Sequence, residues 1–327
     1  MRFPTDGALL ERLRSPRLFP HEWIIIVYLI TAIVLLETMP VTYPRTALLV
    51  AYAQPIMVIT AISVLVTIAR HRRAGARDVP FSGDLLAIGR IVLLLSVAWA
   101  THFLLKSFIF VINPKTWDLF FAVWDQRIHL GFSPSTFFTT LFRAKWLLFV
   151  IDLVYSGIYF LIVLTYASLF LGILPLRLKM AFGAAFTLLW VIGSSLYVAM
   201  PSWGPVYVFS DEFAYTLRYM PLTVSIQRAL FEEISSLVRN PEALRYVKFG
   251  SVAAFPSLHV AVVTLYALAS RHVSRRWFRA NVILVVVMVV GSIVTGYHYL
   301  IDGWAGLALA SLLWFATTRY FGGTEPA

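Results

Sequence analysis

Cysteine is absent from the 327 residues, which excludes disulfides, thiolate metal centres and a cysteine nucleophile, and leaves the redox compartment unspecified. Charge is scarce too: Asp, Glu, Lys and Arg together make up 13% of the chain, about half the share of an ordinary soluble domain. Acids are the scarcer sign, 16 against 27 Lys and Arg, for a net charge of +11. A basic excess raises nucleic acid as a partner, but the cations sit in short clusters between apolar runs. That pattern belongs to loops beside anionic lipid, so nucleic acid is excluded as a partner. Internal repeats, low-complexity linkers and a soluble domain are all missing, as is HExxH or comparable metal-ligand spacing.

What is present is apolar: 60% hydrophobic and 15% aromatic residues. Crossing a bilayer takes about 20 apolar residues. Eight runs qualify, at about 23–40, 47–69, 84–112, 146–174, 179–200, 255–271, 280–297 and 299–320. The sixth is short. The last two are nearly continuous through Thr295-Gly296-Tyr297-His298, where a tight turn is expected. The expected fold is all-α, a polytopic membrane helical bundle of about eight transmembrane helices. The first run follows a basic leader without a small-residue cleavage site and reads as a retained anchor.

Basic residues in short loops set the orientation. Arg2, Arg12, Arg14 and Arg17 precede the first run, and Arg70, Arg72, Arg73 and Arg77 follow the second. Arg177 and Lys179, then Arg271, Arg275, Arg276 and Arg279, complete four clusters on one side. Both termini are therefore expected in the cytoplasm. Arg far outnumbers Lys, which points to a bacterial inner membrane. Two long loops face the other side. Residues 113–145 form an aromatic stretch (Trp117, Phe120, Phe121, Trp124) suited to the membrane interface. Residues 201–254 hold Pro201, Gly204, Pro205 and Pro221, then a mixed-charge helical segment from Gln227 to Leu237.

Seven histidines offer chemistry. His21, His71 and His272 read as solvated loop residues, His102 as a packing residue within the third run, and His129 as part of the interfacial loop, none with an evident partner. His259 and His298 differ. His259 ends Phe255-Pro256-Ser257-Leu258-His259 at the start of the sixth run, and His298 stands four residues before Asp302 at the start of the eighth. The i,i+4 spacing puts His298 and Asp302 on one helix face, where the carboxylate accepts the imidazole N–H. The orientation argument brings both motifs to the same, outer face. Ionisable groups inside membrane segments mark functional sites by default. An imidazole oriented by a carboxylate is a nucleophile for phosphorus, with a second histidine protonating the departing oxygen. A buried structural hydrogen bond, a zinc site of His, His and Asp and a proton relay remain alternatives at this point.

At these residues the chain resembles the type-2 phosphatidic-acid phosphatase superfamily, particularly its inositol phosphorylceramide synthase-like (inositolphosphotransferase) branch. The resemblance rests on Ala254-Phe255-Pro256-Ser257-Leu258-His259 and His298-Tyr299-Leu300-Ile301-Asp302. It implies a six-helix catalytic core over residues 84–320, preceded by two extra helices in 1–83 and followed by a cytoplasmic tail at 321–327. It implies His298 as nucleophile, Asp302 as its orienting carboxylate and His259 as general acid, with no metal and no organic cofactor. The superfamily's Lys-x6-Arg-Pro phosphate clamp is missing: the matching stretch is Gly193-Ser194-Ser195-Leu196-Tyr197-Val198-Ala199-Met200-Pro201. Its Ser-Arg pair is also missing, replaced by Gly291 and Ser292. Lys248 and Arg245 are the expected replacement cations, ahead of Arg239 and Arg228. Ser257 and Tyr197 are expected in the wall of the substrate pocket.

The expected function is transfer of a phospho head group from a donor phospholipid to an acceptor hydroxyl at the outer leaflet, through phosphohistidine. With water as acceptor the same residues make a lipid phosphate phosphatase, acting on phosphatidic acid, an isoprenyl pyrophosphate or a lipid-linked sugar phosphate. A proton-coupled lipid transporter is the alternative of another class, but the inverted repeats it calls for are missing.

Overall fold

The computed structural model describes residues 6–39, 45–74, 80–240 and 252–322. Among them the ordered elements are all helical, as the density of long apolar runs requires: inside a bilayer every backbone N–H must be satisfied within its own segment. A short α1 (Asp6–Arg14) precedes α2 (Pro20–Glu37), α3 (Arg45–Ala74) and α4 (Phe81–Ser107). A single turn, α5 (Ile109–Ile112), leads to two short helices, α6 (Asp118–Ile128) and α7 (Pro134–Leu141). Then α8 (Lys145–Asp152) passes through a π turn (Leu153–Gly157) into α9 (Tyr159–Ile173), followed by α10 (Leu176–Ala199). The next segment carries α11 (Pro205–Val208), a 3-10 turn (Ser210–Phe213), α12 (Ala214–Leu217) and α13 (Pro221–Arg239). The chain finishes with α14 (Leu258–Ser270), α15 (Arg275–Val294) and α16 (Leu300–Phe321).

All eight expected spans are helices, but not all of one kind. Six are long and apolar enough to cross a membrane alone: α2, most of α3, α4, α10, α15 and α16. The run 146–174 is instead a bent pair, α8 with the π turn and α9, angled at 58°. The sixth run contributes only α14, 13 residues, about 20 Å long and short of a full crossing. Between α15 and α16 the expected tight turn is present, with Gly296 at φ +75°.

α10 is the buried axis of the bundle and packs against α4, α14 and α16. The two extra N-terminal helices pack on the same bundle, α2 on α4 and α10, and α3 on α4 and α9. Tyr28 and Ser194 join their hydroxyls across the first contact, and Ser63 donates to the Ser168 carbonyl across the second at 3.2 Å.

One end of the bundle is laced by ion pairs. Asp84, fully buried, meets Arg70, Lys179 and His71, the last at 2.8 Å. Arg70 and Lys179, which the sequence places among the free loop cations, are thus internal partners of one carboxylate. His71, expected to be solvated, has this partner as well. Arg90 joins Glu22, and Arg177 meets Asp6 at 2.6 Å. At the opposite end α6 and α7 expose Leu119, Phe120, Trp124 and Phe137, the apolar surface that an interfacial segment requires.

Candidate active site

Both motifs lie at the end opposite those ion pairs. Residues 252–257 approach as irregular chain with a bend at Phe255-Pro256, tied by the Ala254 N–H to the Ser202 carbonyl at 3.1 Å. Phe255 stacks on Phe121 of α6 with ring centroids 4.6 Å apart. Ser257 then caps α14, its hydroxyl facing the Val260 N–H, which sets His259 in the first turn. On the other side, Asp302 is the third residue of α16 and reaches back to accept the Tyr299 N–H at 2.9 Å, a capping contact. One backbone bond joins the motifs: Ser257 N–H donates to the Asp302 carbonyl at 3.0 Å. It is possible because Gly306 lets α16 approach α14, where a Cβ would stand 2.4 Å from the Ser257 carbonyl oxygen.

The imidazoles of His259 and His298 come together, ring centroids 5.9 Å apart. The partner of His298 differs from the sequence expectation. Its Nδ1 lies 2.6 Å from the Ala254 carbonyl oxygen and 3.5 Å from Asp302 Oδ2. The carbonyl is the close acceptor, and the carboxylate stands behind as a nearby charge. A carbonyl only accepts, so Nδ1 carries the proton and Nε2 keeps its lone pair. His259 lies between two phenol rings, Tyr155 at 4.8 Å and Tyr159 at 4.2 Å between centroids.

Both histidines line a cavity of about 350 Å³. Its wall is mainly apolar and aromatic, with Ile226 and Leu230 of α13 on one side and Phe103, Phe160 and Val163 on another. Tyr197 is in the wall as expected. Ser257 is buried behind it as a helix cap and does not line it. Lys248 and Arg245 fall outside the described residues, while Arg239 ends α13 and Arg228 lines a separate shallow groove.

The cavity also holds Lys106, absent from the expected site residues, and His102, expected only to pack. His102 and Lys106 of α4 both line it, and Lys106 Nζ stands 5.4 Å from the centre of the Tyr197 ring. His102 packs on Trp190, as expected of a buried histidine, with Nδ1 3.2 Å from the Trp190 carbonyl oxygen. The signal was in the sequence: they are an i,i+4 ionisable pair inside an apolar run, the spacing that singled out His298 and Asp302. Among the described residues Lys106 is the only Lys or Arg in the wall, and no carboxylate lines it. No cluster of His, Asp and Glu able to hold a metal occurs among the described residues.

Three buried acids frame this end. Asp118 accepts from the Ser202 hydroxyl at 2.7 Å and the Gly204 N–H at 2.9 Å. Asp152 accepts from the N–H groups of Leu222 and Thr223 at 2.9 and 2.8 Å, capping α13. Asp125 accepts from the N–H groups of Leu300 and Ile301 at 3.0 and 2.8 Å, capping α16. Burial raises the Asp125 carboxyl above the ordinary range, against these two donors and the neighbouring His129 imidazole. His129, without a partner in the sequence reading, has two: its Nδ1 is 2.6 Å from the Asp125 carbonyl oxygen, and the Trp304 indole donates to its Nε2 at 3.1 Å.

The family model described as the PAP2 superfamily matches residues 119–316, from α6 nearly to the end of α16 and including both motifs. Lys106 and His102 precede the matched residues. No curated protein and no solved structure matches the chain.

Proposed function

The chain belongs to the PAP2 superfamily, whose members are phosphatases or phosphotransferases acting on lipid phosphates, and on that premise we propose that it is a lipid phosphotransferase. It moves a phospho head group from a donor phospholipid to an acceptor hydroxyl, as in the inositol phosphorylceramide synthase-like branch. The observation that carries this reading is the charge of the cavity: two imidazoles converge in an apolar chamber whose described wall holds one cation, Lys106. A phosphodiester brings one negative charge into a wall poor in cations. A phosphomonoester brings up to two, and the second is costly in such surroundings.

In the proposed reaction His298 Nε2 attacks phosphorus, and the bond to the lipid alcohol of the donor breaks. His259 gives that oxygen a proton. The acceptor hydroxyl then attacks the phosphohistidine, its proton passes to His259, and the P–N bond breaks. Asp302 and the Ala254 carbonyl hold the proton on Nδ1, so Nε2 is the reacting nitrogen. Tyr155 and Tyr159 flank His259 with their ring faces, the neighbours that favour a transient imidazolium. A mainly apolar wall disfavours water as the competing acceptor. On this reading the site faces the outer leaflet of a bacterial cytoplasmic membrane, with the Arg-rich loops and both termini inside.

The test uses the purified chain in detergent with a chelator, head-group-labelled phospholipids, and candidate acceptor alcohols, beside His298→Gln. Mass spectrometry follows released phosphate or phospho head group and new phospholipid. A new phospholipid that requires both acceptor and His298 is the expected result. Phosphate or phospho head group released to water without an acceptor product makes the chain a hydrolase and refutes the transferase reading. Turnover that survives in His298→Gln removes the histidine mechanism.

A further inference from the structure

Three donors in the cavity wall have no acceptor among the described residues: the hydroxyls of Tyr155 and Tyr159 and the indole N–H of Trp190. All three atoms are buried. Buried donors are almost always paired in folded proteins, so three in one chamber call for a ligand oxygen. The ligand group they fit accepts and does not donate, because Tyr and Trp supply O–H and N–H while no Asp, Glu, Asn or Gln lines the described wall.

Their depth narrows it further. His259 is the second residue of α14, and Lys106 stands one residue from the same end of α4. Tyr159 is level with His259, its ring centroid 4.2 Å away. Trp190 lies nine residues before the end of α10, roughly 13 Å along the helix axis toward the middle of the bundle. Phe103, Phe160 and Val163 form the wall around it. From the histidines inward the cavity therefore offers a cation and two phenols beside the imidazoles, then an indole N–H among hydrocarbon. A phospholipid with phosphorus at His298 and its tails toward the bilayer centre presents the same order: phosphate, acyl carbonyl oxygens a few bonds away, then alkyl chain.

We infer that Tyr155, Tyr159 and Trp190 bind the acyl carbonyl oxygens of the donor lipid, so that the substrate class is a phospholipid with ester- or amide-linked acyl chains. An isoprenyl phosphate has no oxygen at the depth of Trp190 and leaves that donor unpaired. The inference rests on the phospholipid-transferase reading above and goes beyond it by naming what the lipid carries below its phosphate.

The experiment compares three donors of identical head group and chain length, linked by ester, amide or ether, with the wild-type chain, Tyr159→Phe and Trp190→Phe. An ether analogue keeps the shape and loses the carbonyls. Wild type is expected to prefer an acyl-linked donor over the ether by about tenfold or more in kcat/KM, the worth of one buried hydrogen bond or two. The faster of ester and amide names the lipid. Either variant brings the acyl-to-ether ratio toward one. Equal use of ester, amide and ether by wild type overturns the inference while leaving the transferase reading intact. A ratio unchanged in both variants also overturns it, since the rings then act elsewhere. Transfer from none of the three refutes the transferase reading itself. Native mass spectrometry of the same lipids bound to His298→Gln then decides the inference alone: an acyl preference supports it and equal binding ends it.

Discussion

The contact between α14 and α16 carries both histidines, and a single methyl group is enough to open it. A Cβ on Gly306 would lie 2.4 Å from the Ser257 carbonyl oxygen and 3.3 Å from the Ala261 nitrogen. Both obstacles are backbone, so no side chain can swing aside. To reach an ordinary contact of 3.4 Å the helices must part by about 1 Å, and the bond from Ser257 N–H to the Asp302 carbonyl, 3.0 Å long, lengthens with them. Overpacking of this kind costs about 1–3 kcal/mol. Misplacing a reacting pair by that distance costs on the order of 100-fold in rate. Gly306→Ala is therefore expected to lower Tm in detergent and to cut lipid turnover by about 100-fold. The control is one turn away: a Cβ on Gly303 meets nothing within 4 Å. Gly303→Ala should leave turnover near wild type and, by helix propensity, hold or raise Tm. Wild-type turnover and Tm in Gly306→Ala would refute the reasoning, because the apposition of the two helices would then not set the site.

Two further substitutions probe the frame and the charge of the cavity. Asp125→Ala strips the acceptor from the N–H groups of Leu300 and Ile301 and should cost about 1–3 kcal/mol, with Asp125→Asn milder because one acceptor oxygen remains. Since burial raises the Asp125 carboxyl, the folded chain holds that proton more tightly than the unfolded chain. Its contribution to stability therefore falls as pH rises from the ordinary carboxylate range through the raised value. Tm measured across that window should show the slope flatten in Asp125→Asn, and an unchanged slope would count against the assignment. Lys106→Gln should reduce kcat/KM for an anionic donor by about 100-fold, the scale for losing one stabilising group at a developing oxyanion. Lys106→Arg should retain more of it, and a neutral Gln variant would move the phosphate-binding role to other cations.

The fold was largely legible in the sequence, because a run of apolar residues long enough to cross a bilayer has one backbone solution there. Where the reading fell short, the cause was a partner distant in the chain. The run 146–174 looks continuous, yet it bends at Ile158, and its first half carries Asp152, which caps α13 some 70 residues later. Arg70 and Lys179 look like free loop cations until Asp84 is found between them. At the candidate site, the His298 and Asp302 pair was visible as an i,i+4 spacing. The closer partner of His298 is the Ala254 carbonyl, 44 residues away, and no side-chain pattern marks a backbone oxygen. Lys106 and His102 carried a readable signal as a pair, which was passed over because a single histidine in an apolar run usually packs. The expected cations Lys248 and Arg245 fall outside the described residues.

The distribution of satisfied and unsatisfied polar groups ties these observations together. With no cysteine in the chain, the segments around the cavity have no covalent staple. Asp118, Asp125 and Asp152 take that place, accepting backbone N–H groups from the 202–204 loop, from α16 and from α13. A carboxylate buried to this extent is stable when two or three donors surround it, and each donor it takes fixes a segment against the bundle. These three carboxylates are thus paired, while Tyr155, Tyr159 and Trp190 inside the cavity hold donors without acceptors among the described residues. Folding alone gives no reason for that contrast, since the same donors as phenylalanine would pack at lower cost. A ligand that brings its own oxygens gives one: segments tied down by the three carboxylates hold unsatisfied donors where an incoming lipid can complete them, without reorganisation at the moment of binding.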